Sequence, residues 1–503
     1  MTQDASELKP DVSFDGGDLD CGNGLLLLIR KHIDPMARGG LLEILSTEIS
    51  VDEDLPAWCR MTSNELVRFD KQGKQRRFLV AKGTLADRQP NPHAAAVMQI
   101  VAVSPMRIFP EVVAAPKILP LSVMGIGSWP RPRWMLQAVH EYVEGRLPEA
   151  DFQATADDAV RLAISAQLRA GANVVSDGEQ RRDSYASFVA SRLDNCQLIP
   201  LTDLLPLVSN PLEFEQELRA LDIPASDVRH PAVFGPLGRS RGIAVHEVEF
   251  ARLVVAASVP VKVALPGPYL LTRTMWMDCL VDRSYPSRDE LANDVVRVLR
   301  EEIACLLAAG AAMVQIDEPV LSEVVFSGPS NQRSFMCGAL SEKRDPATEL
   351  GFAKALINAV VAGFPEERLA LHMCRGNWTP DEAKALSGNY GALVSTLGQL
   401  QVGTLLLELH TPRAGEMEEL RTLPTRMRVG IGACNQKHRE VEAVESVVAH
   451  VEKAIRLFGV ERVLITPDCG FATFADNPLL SAQQAEQKLA VLAQAAARLR
   501  TSY

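Results

Sequence analysis

The sequence predicts an α/β chain: a C-terminal (β/α)8 TIM barrel preceded by a small N-terminal α+β two-layer sandwich. Two patterns carry this reading. From about Leu121 onward, short aliphatic runs alternate with amphipathic helical stretches, eight times over. Between Ser13 and Gly83 the order is instead helix, strand, helix, then two strands around a turn. At 503 residues the chain has room for a large barrel plus a small module.

The N-terminal helix comes first. Leu25, Leu28, Ile29 and Ile33 repeat at helical spacing after Cys21, and Pro35 with Gly39-Gly40 closes that helix. Residues 41–46 alternate like a strand, and 54–61 read as a short helix. Residues 66–69 and 78–81 read as two strands around Lys71-Gln72-Gly73-Lys74. Pro90, Pro92, Pro105, Pro110 and Pro116 punctuate the connecting stretch after them. The divisions are therefore a module at 13–85, a linker at 86–117 and the barrel at 118–503.

The eight strand candidates are 121–127, 172–176, 261–265, 313–316, 369–373, 404–407, 428–432 and 463–466. Parallel strands buried on both faces read as unbroken aliphatic runs, as these do. Helix starts are marked by Ser287 with Glu290, Thr379 with Glu382 and Ser481 with Gln484, all with capping-box spacing. The stretch 195–252 is too long for one crossover. It reads as an insertion with its own helices and a hairpin near 235–242.

Composition removes whole function classes. The net charge is -11, with no block of clustered Lys or Arg, which disfavours a nucleic-acid partner. The longest apolar run, 25–29, is far short of a membrane span. The acidic N-terminus lacks the pattern of a signal peptide, so a cytoplasmic location is expected. Nine cysteines without disulfide rhythm read as core fillers, metal ligands or reactive thiols.

Reactive residues gather just after the predicted strands. Ser128 follows the first, Asp177 and Glu179 the second, and Asp317 and Glu318 the fourth. His372 and Cys374 end the fifth, Glu408 the sixth, and Asn435 follows the seventh. Asp468 and Cys469 follow the eighth. In a barrel these positions share one rim, where active sites sit. His372 and Cys374 are i and i+2 on a strand and point to one side. Alone, such a pair reads more readily as core packing. Cys469 at another strand end reverses that, with Glu408 offering an oxygen; imidazole and thiolate donors suit zinc. Glu179 and Asp317 suit a substrate ammonium group or acid–base work, against the blander reading of helix capping or an internal ion pair. Gly125-Ile126-Gly127 and Gly267-Pro268 lack phosphate-loop spacing and read as close-approach turns at the rim.

These segments together resemble the cobalamin-independent methionine synthase family, in its catalytic C-terminal barrel and its short single-barrel relatives. The matching residues are Gly125-Ile126-Gly127-Ser128, Asp177-Gly178-Glu179, Leu265-Pro266-Gly267-Pro268, Gln315-Ile316-Asp317-Glu318-Pro319, His372-Met373-Cys374, Glu408 and Pro467-Asp468-Cys469-Gly470. The resemblance implies zinc ligands at His372, Cys374, Glu408 and Cys469. It implies that Ile126, Ser128, Glu179 and Asp317 bind the amino-acid part of homocysteine. It implies methyl transfer to homocysteine or a related thiol, with a methylated folate as the family's donor; a corrinoid or carrier protein is the other donor expected here. Where the family carries Asp-x-His, with its His as donor-side acid, this chain reads Asn435-Gln436-Lys437-His438. Lys437 takes the acid position, with His438 beside it.

The N-terminal stretch resembles a second family, the TusA/SirA-like sulfur carriers, through Leu19-Asp20-Cys21, the following helix, Gly39-Gly40 and Asp54-Leu55-Pro56-Ala57-Trp58-Cys59. That resemblance implies a persulfide on Cys21, served by a sulfurtransferase partner. A helix N-terminus lowers a thiol's pKa, which suits the role. Both prolines of that family's motif are replaced in Cys21-Gly22-Asn23-Gly24. The alternative function is therefore sulfur transfer, with Cys21 delivering sulfur to the zinc barrel.

Overall fold

A computed structural model of the chain describes residues 8–21, 24–88, 100–200, 203, 229–276, 284–326, 344–377, 380–475 and 478–503. Gly22, Asn23 and Thr379, which belong to two of the predicted motifs, lie outside them.

The N-terminal unit contains strands β1 (Val12–Asp15), β2 (Leu41–Ser46), β3 (Glu65–Gln72) and β4 (Gln75–Ala81), with helices α1 (Leu25–Ile33) and α2 (Val51–Met61). The sheet order is β1-β2-β4-β3, with β1 parallel to β2 and the other pairs antiparallel. The periodicity of α1 explains its seat. Leu25, Ile29 and Ile33 share a core with Leu55, Trp58, Leu42, Ile44, Phe78 and Val80. β1 is not among the predicted strands, because Val-Ser-Phe-Asp is too short to show alternation. α2 starts three residues before the expected 54. Its first turn carries Asp52, Glu53 and Asp54, which favour a helix N-terminus.

Residues 100–117 form no regular element but are tied to the main body. Asn195 bonds the backbone of Val101 on both sides, and Phe109 stacks on Phe364 at 5.9 Å. α1 touches the insertion: Arg30 Nε donates to Asp203 Oδ2 at 2.6 Å.

The insertion differs from expectation. Its hairpin is not at 235–242. Strand β5 (Asp194–Pro200) instead pairs antiparallel with β6 (Arg229–Gly238). Gly238 lies opposite Asp194, so the segment expected to turn is the end of a strand.

Six strands of the main body form one parallel sheet: β7 (Lys262–Pro266), β8 (Met313–Asp317), β9 (Leu369–Met373), β10 (Thr404–Leu407), β11 (Arg428–Gly432) and β12 (Val463–Thr466). Each matches its predicted run to within a residue at either end. The first two predicted strands appear as isolated parallel bridges. Val123 pairs with Ile465, Met124 with Val174, and Val175 with Val261. A small cluster takes one residue from each of six segments: Met124, Val174, Met313, Ala370, Leu406 and Leu464, with Ile126 among them. A larger cluster packs the helices onto the sheet's other face. Two caps behave as predicted. Ser287 Oγ accepts from Glu290 N, and Ser481 and Gln484 cap each other reciprocally. No described helix is long and apolar enough to cross a membrane.

Register sets up the site. Asp317 on β8 lies opposite His372 on β9, and His372 lies opposite Leu406 on β10. The C-terminal ends of three strands thus reach the same level.

Candidate metal centre and cavity

His372 is oriented by its neighbour strand: its Nδ1 is 3.0 Å from the Leu406 carbonyl oxygen, which leaves Nε2 to face inward. Nε2 is 3.5 Å from Cys469 Sγ. Ligand atoms of His372, Cys374 and Cys469 all lie within 4.8 Å of one another, and all three residues are buried. The two sulfurs form a hydrogen-bonded pair. That bond, assisted by His372, holds Cys374 well below the ordinary thiol range, and it holds Cys469 well above. An imidazole and two sulfurs converging in a buried position is a donor set that fits zinc.

Glu408 sits beside this group and is not one of the three. Its Oε2 accepts from Arg375 N at 2.8 Å; its Oε1 accepts from Thr411 Oγ1 at 3.0 Å and pairs with Arg413 at 2.8 Å. Burial, then Asp468 and Cys374, push its carboxyl up to about 8.

A cavity opens beside these three side chains. Its walls include Ile126, Ser128, Glu179 and Asp317, so all four residues expected to meet substrate are brought together there. Glu179 has a φ of 55°, in the left-handed region that a non-glycine residue rarely occupies. Arg131 Nη2 holds the Arg182 carbonyl at 2.6 Å, and Asp177 Oδ1 accepts from Glu179 N at 2.9 Å. Burial raises the Glu179 carboxyl, and burial brings Asp317 up to about 6, with Glu179 adding to it and His372 opposing. Two glycines are required by close approach. A Cβ on Gly127 would stand 2.2 Å from Glu179 Oε1, and one on Gly470 would stand 2.2 Å from Ser128 Oγ.

The two expected donor-side residues separate. Lys437 is 3 % exposed, and its Nζ makes no hydrogen bond among the described residues. Burial and Arg413 lower it to about 8, while Glu408, Cys374 and Cys469 pull the other way. His438 is half-exposed, lies 3.4 Å from Glu382 Oε1, and lines a separate pocket with His410 and Glu442. Consecutive residues in a loop need not share a direction, and here they do not.

Cys21 lines neither cavity. The expected lowering of its thiol is corrected: burial first, then Asp54, Asp20 and Asp203, push it up to about 12. The N-cap of α1 is Gly24, so Cys21 stands outside the first turn, among acids.

Sequence reasoning missed Tyr185, Asn377, Thr473 and Phe474, which complete the cavity. Asn377 Nδ2 donates to Gly470 O at 2.7 Å and Thr473 Oγ1 at 2.6 Å, while Gln436 Nε2 donates to Asn377 Oδ1 at 2.6 Å. These bonds tie together the loops that carry Cys374, Lys437 and Cys469. The only signal was position, since Asn377 and Gln436 both come just after strand ends.

Fold and site together define a class: a parallel α/β chain with an imidazole–thiol cluster that could hold a metal at its strand ends, lining a cavity with two buried acids. Residues 222–498 match the family model described as the cobalamin-independent synthase catalytic domain, and the chain belongs to that family. It is similar to the methionine synthase of Saccharolobus solfataricus, 25% identical over 372 residues, covering 74% of this chain and 92% of that one. The methionine synthase of Sulfolobus acidocaldarius is also 25% identical, over 353 residues, 70% of this chain and 86% of that one. Among solved structures, a B12-independent methionine synthase from Shewanella sp. W3-18-1, in complex with selenomethionine, aligns with a TM-score of 0.57. That alignment has 24% identity and covers 76% of this chain and 98% of that one. A putative vitamin-B12-independent methionine synthase from Listeria monocytogenes aligns with a TM-score of 0.55 at 18% identity, covering 77% and 99%.

Proposed function

We propose that the chain is a zinc-dependent methyltransferase that methylates homocysteine or a closely related thiol, giving methionine or the matching thioether. One observation carries the reading. His372, Cys374 and Cys469 form one wall of the cavity whose other walls bear Ser128, Glu179 and Asp317. A thiol amino acid needs both: soft ligands at its sulfur end and carboxylates at its ammonium end. Family membership and relatives named methionine synthase point the same way.

When bound, zinc would lower the pKa of the substrate thiol and so supply a nucleophile at neutral pH. His372, Cys374 and Cys469 would hold it, with Glu408 as the fourth ligand once its carboxylate leaves Arg413. Glu179 and Asp317 take the ammonium group, and Ser128 and the Ile126 segment orient the amino-acid end. Lys437 stands on the donor side. A folate donor leaves as an amine and needs a proton, which Lys437 carries; a corrinoid-borne methyl needs none. In this reading the bridged segments at 123–124 and 174–175 are the two remaining strands of a closed (β/α)8 barrel spanning 118–503. Residues 13–85 form the accessory module and 86–117 the linker. Sulfur delivery from Cys21 draws no support from a buried thiol ringed by acids.

The test is methionine formation from homocysteine by the zinc-loaded protein, with a methylated folate and with methylcobalamin as separate donors. Methionine from either donor, abolished by chelation, is expected. No product from any methyl donor at full zinc occupancy would overturn the proposal.

A further inference from the structure

Lys262 is a charged side chain that opens an otherwise apolar strand, Lys262–Pro266, and is 2 % exposed. Burying an ammonium is costly unless every proton finds an acceptor. Here each does. Nζ donates to Gly125 O, Ile126 O and Gln315 Oε1, each at 2.6 Å. An ammonium has three donors, and all three are used. The chain of contacts continues. Gln315 and Asp317 are i and i+2 on β8 and share a side, and Gln315 Nε2 donates to Asp317 Oδ1 at 2.6 Å.

From this arrangement we infer that Lys262 and Gln315 are positioning residues for substrate: they lock the Ile126 segment and the Asp317 carboxylate into one rigid grip on the amino-acid end of the ligand. The inference rests on the proposed function and deepens it. Two cavity walls arrive from different strands, and the first segment joins its neighbours through isolated bridges and scattered hydrogen bonds rather than a continuous ladder. A few tenths of an ångström of slack between them would loosen any ligand that touches both. The Lys262–Gln315–Asp317 chain removes that slack. Met or Leu would suit this strand's burial better than Lys, so strand packing does not account for the residue. Burial pulls Lys262 down to about 7, opposed by Asp317 and Glu179, which marks the cost of keeping it there.

The link also predicts a selectivity. Asp317 addresses an ammonium group, so its misplacement penalises ligands that carry one and spares those that do not. Packing alone would penalise both equally.

The experiment is calorimetric binding to the zinc-loaded full chain, with L-methionine and with 4-(methylthio)butanoate, which lacks the amino group. Gln315→Leu cuts the link without changing charge, and Lys262→Met cuts it at the other end. Both variants should bind methionine at least about tenfold more weakly, bind 4-(methylthio)butanoate as the unaltered chain does, and keep full zinc content. Undiminished methionine affinity in Gln315→Leu would overturn the inference, as would equal loss for both ligands or loss of zinc. Should Lys262→Met fail to fold, Gln315→Leu decides alone. An unaltered chain that binds neither ligand overturns the function reading itself, and this inference with it.

Discussion

The imidazole of His372 and the sulfur of Cys469 meet at 3.5 Å across 97 residues of chain. Neither belongs to a local metal-binding motif. They meet because β9 and β12 end at one rim, and because the Leu406 carbonyl turns the His372 ring toward it. Cys374 completes the trio from the residue after β9.

Removing one sulfur should therefore be felt in metal affinity before anything else. Cys374→Ser and Cys469→Ser should each weaken zinc binding by more than about 100-fold, beyond the range typical of outer-shell changes. Glu408→Gln should cost about tenfold, because that carboxylate is engaged by Arg413, Thr411 and Arg375 N. Competition with a chromogenic chelator measures all three. Stoichiometric zinc retained by Cys469→Ser in the presence of chelator would remove Cys469 from the ligand set.

The close-approach glycines separate substrate binding from metal binding. A methyl group on Gly470 would collide with Ser128 Oγ, and one on Gly127 with Glu179 Oε1. Displacing a positioning group by about 1 Å can cost on the order of 100-fold in rate. Gly127→Ala and Gly470→Ala should lose about that much in kcat/KM while keeping full zinc content. Steady-state kinetics beside metal analysis checks this, and unchanged kcat/KM in Gly127→Ala would contradict the close contact with Glu179.

Much of this site was legible in the sequence, for identifiable reasons. The strands that contain His372 or run up to Cys374, Glu408 and Cys469 are largely aliphatic runs, so both their existence and their ends could be read. The ends matter most, because the chemistry sits there. What stayed hidden depends on the folded loops. Nothing in Lys437-His438 says which side chain turns inward, and only tertiary packing buries the first and exposes the second. Tyr185 and Phe474 meet edge to face at 6.4 Å across the cavity because Ser184 bridges Phe474, a pairing with no sequence signal. Gly127 and Gly267 are the close-approach positions expected at the rim, where the absent Cβ leaves room for Glu179 and Glu318. Gly125 is not, because it has open space around it. The setting of Cys21 was also hidden, because a nearby helix start is visible in the sequence while its burial beside Asp54, Asp20 and Asp203 is not.

Behind the acids lies a buried ion pair with a separable cost. Arg182 and Glu247 are bonded at 2.6 and 3.0 Å, and their side chains are 1% and 2% exposed. Arg182 also lies over Phe188 at 4.1 Å. Breaking a buried pair from one side strands the other charge and costs about 3–5 kcal/mol. Arg182→Met should destabilise by that amount in urea unfolding. Arg182→Met with Glu247→Leu should be closer to the unaltered chain than Arg182→Met alone. A double variant worse than the sum of the singles would contradict the pairing.

Glu318 gives a pH signature of its own. It is fully buried at the end of β8 and accepts from Tyr269 N at 2.8 Å and Leu270 N at 3.0 Å. Burial nevertheless dominates and raises its carboxyl from 4.5 to about 8, against the pull of those two N–H groups. Between those values the folded chain holds a proton that the unfolded chain has released. Stability then falls with rising pH, because the native state binds more protons. The contribution is whole below pH 4.5 and is lost progressively as pH rises through about 8. Glu318→Gln, which has no proton to lose, should show no such slope. The stability of the unaltered chain relative to this variant should therefore decline steadily between about pH 5 and 8. Thermal unfolding of both chains across that range measures it, and a constant or rising difference would mean that the two N–H bonds, not burial, set the protonation of Glu318.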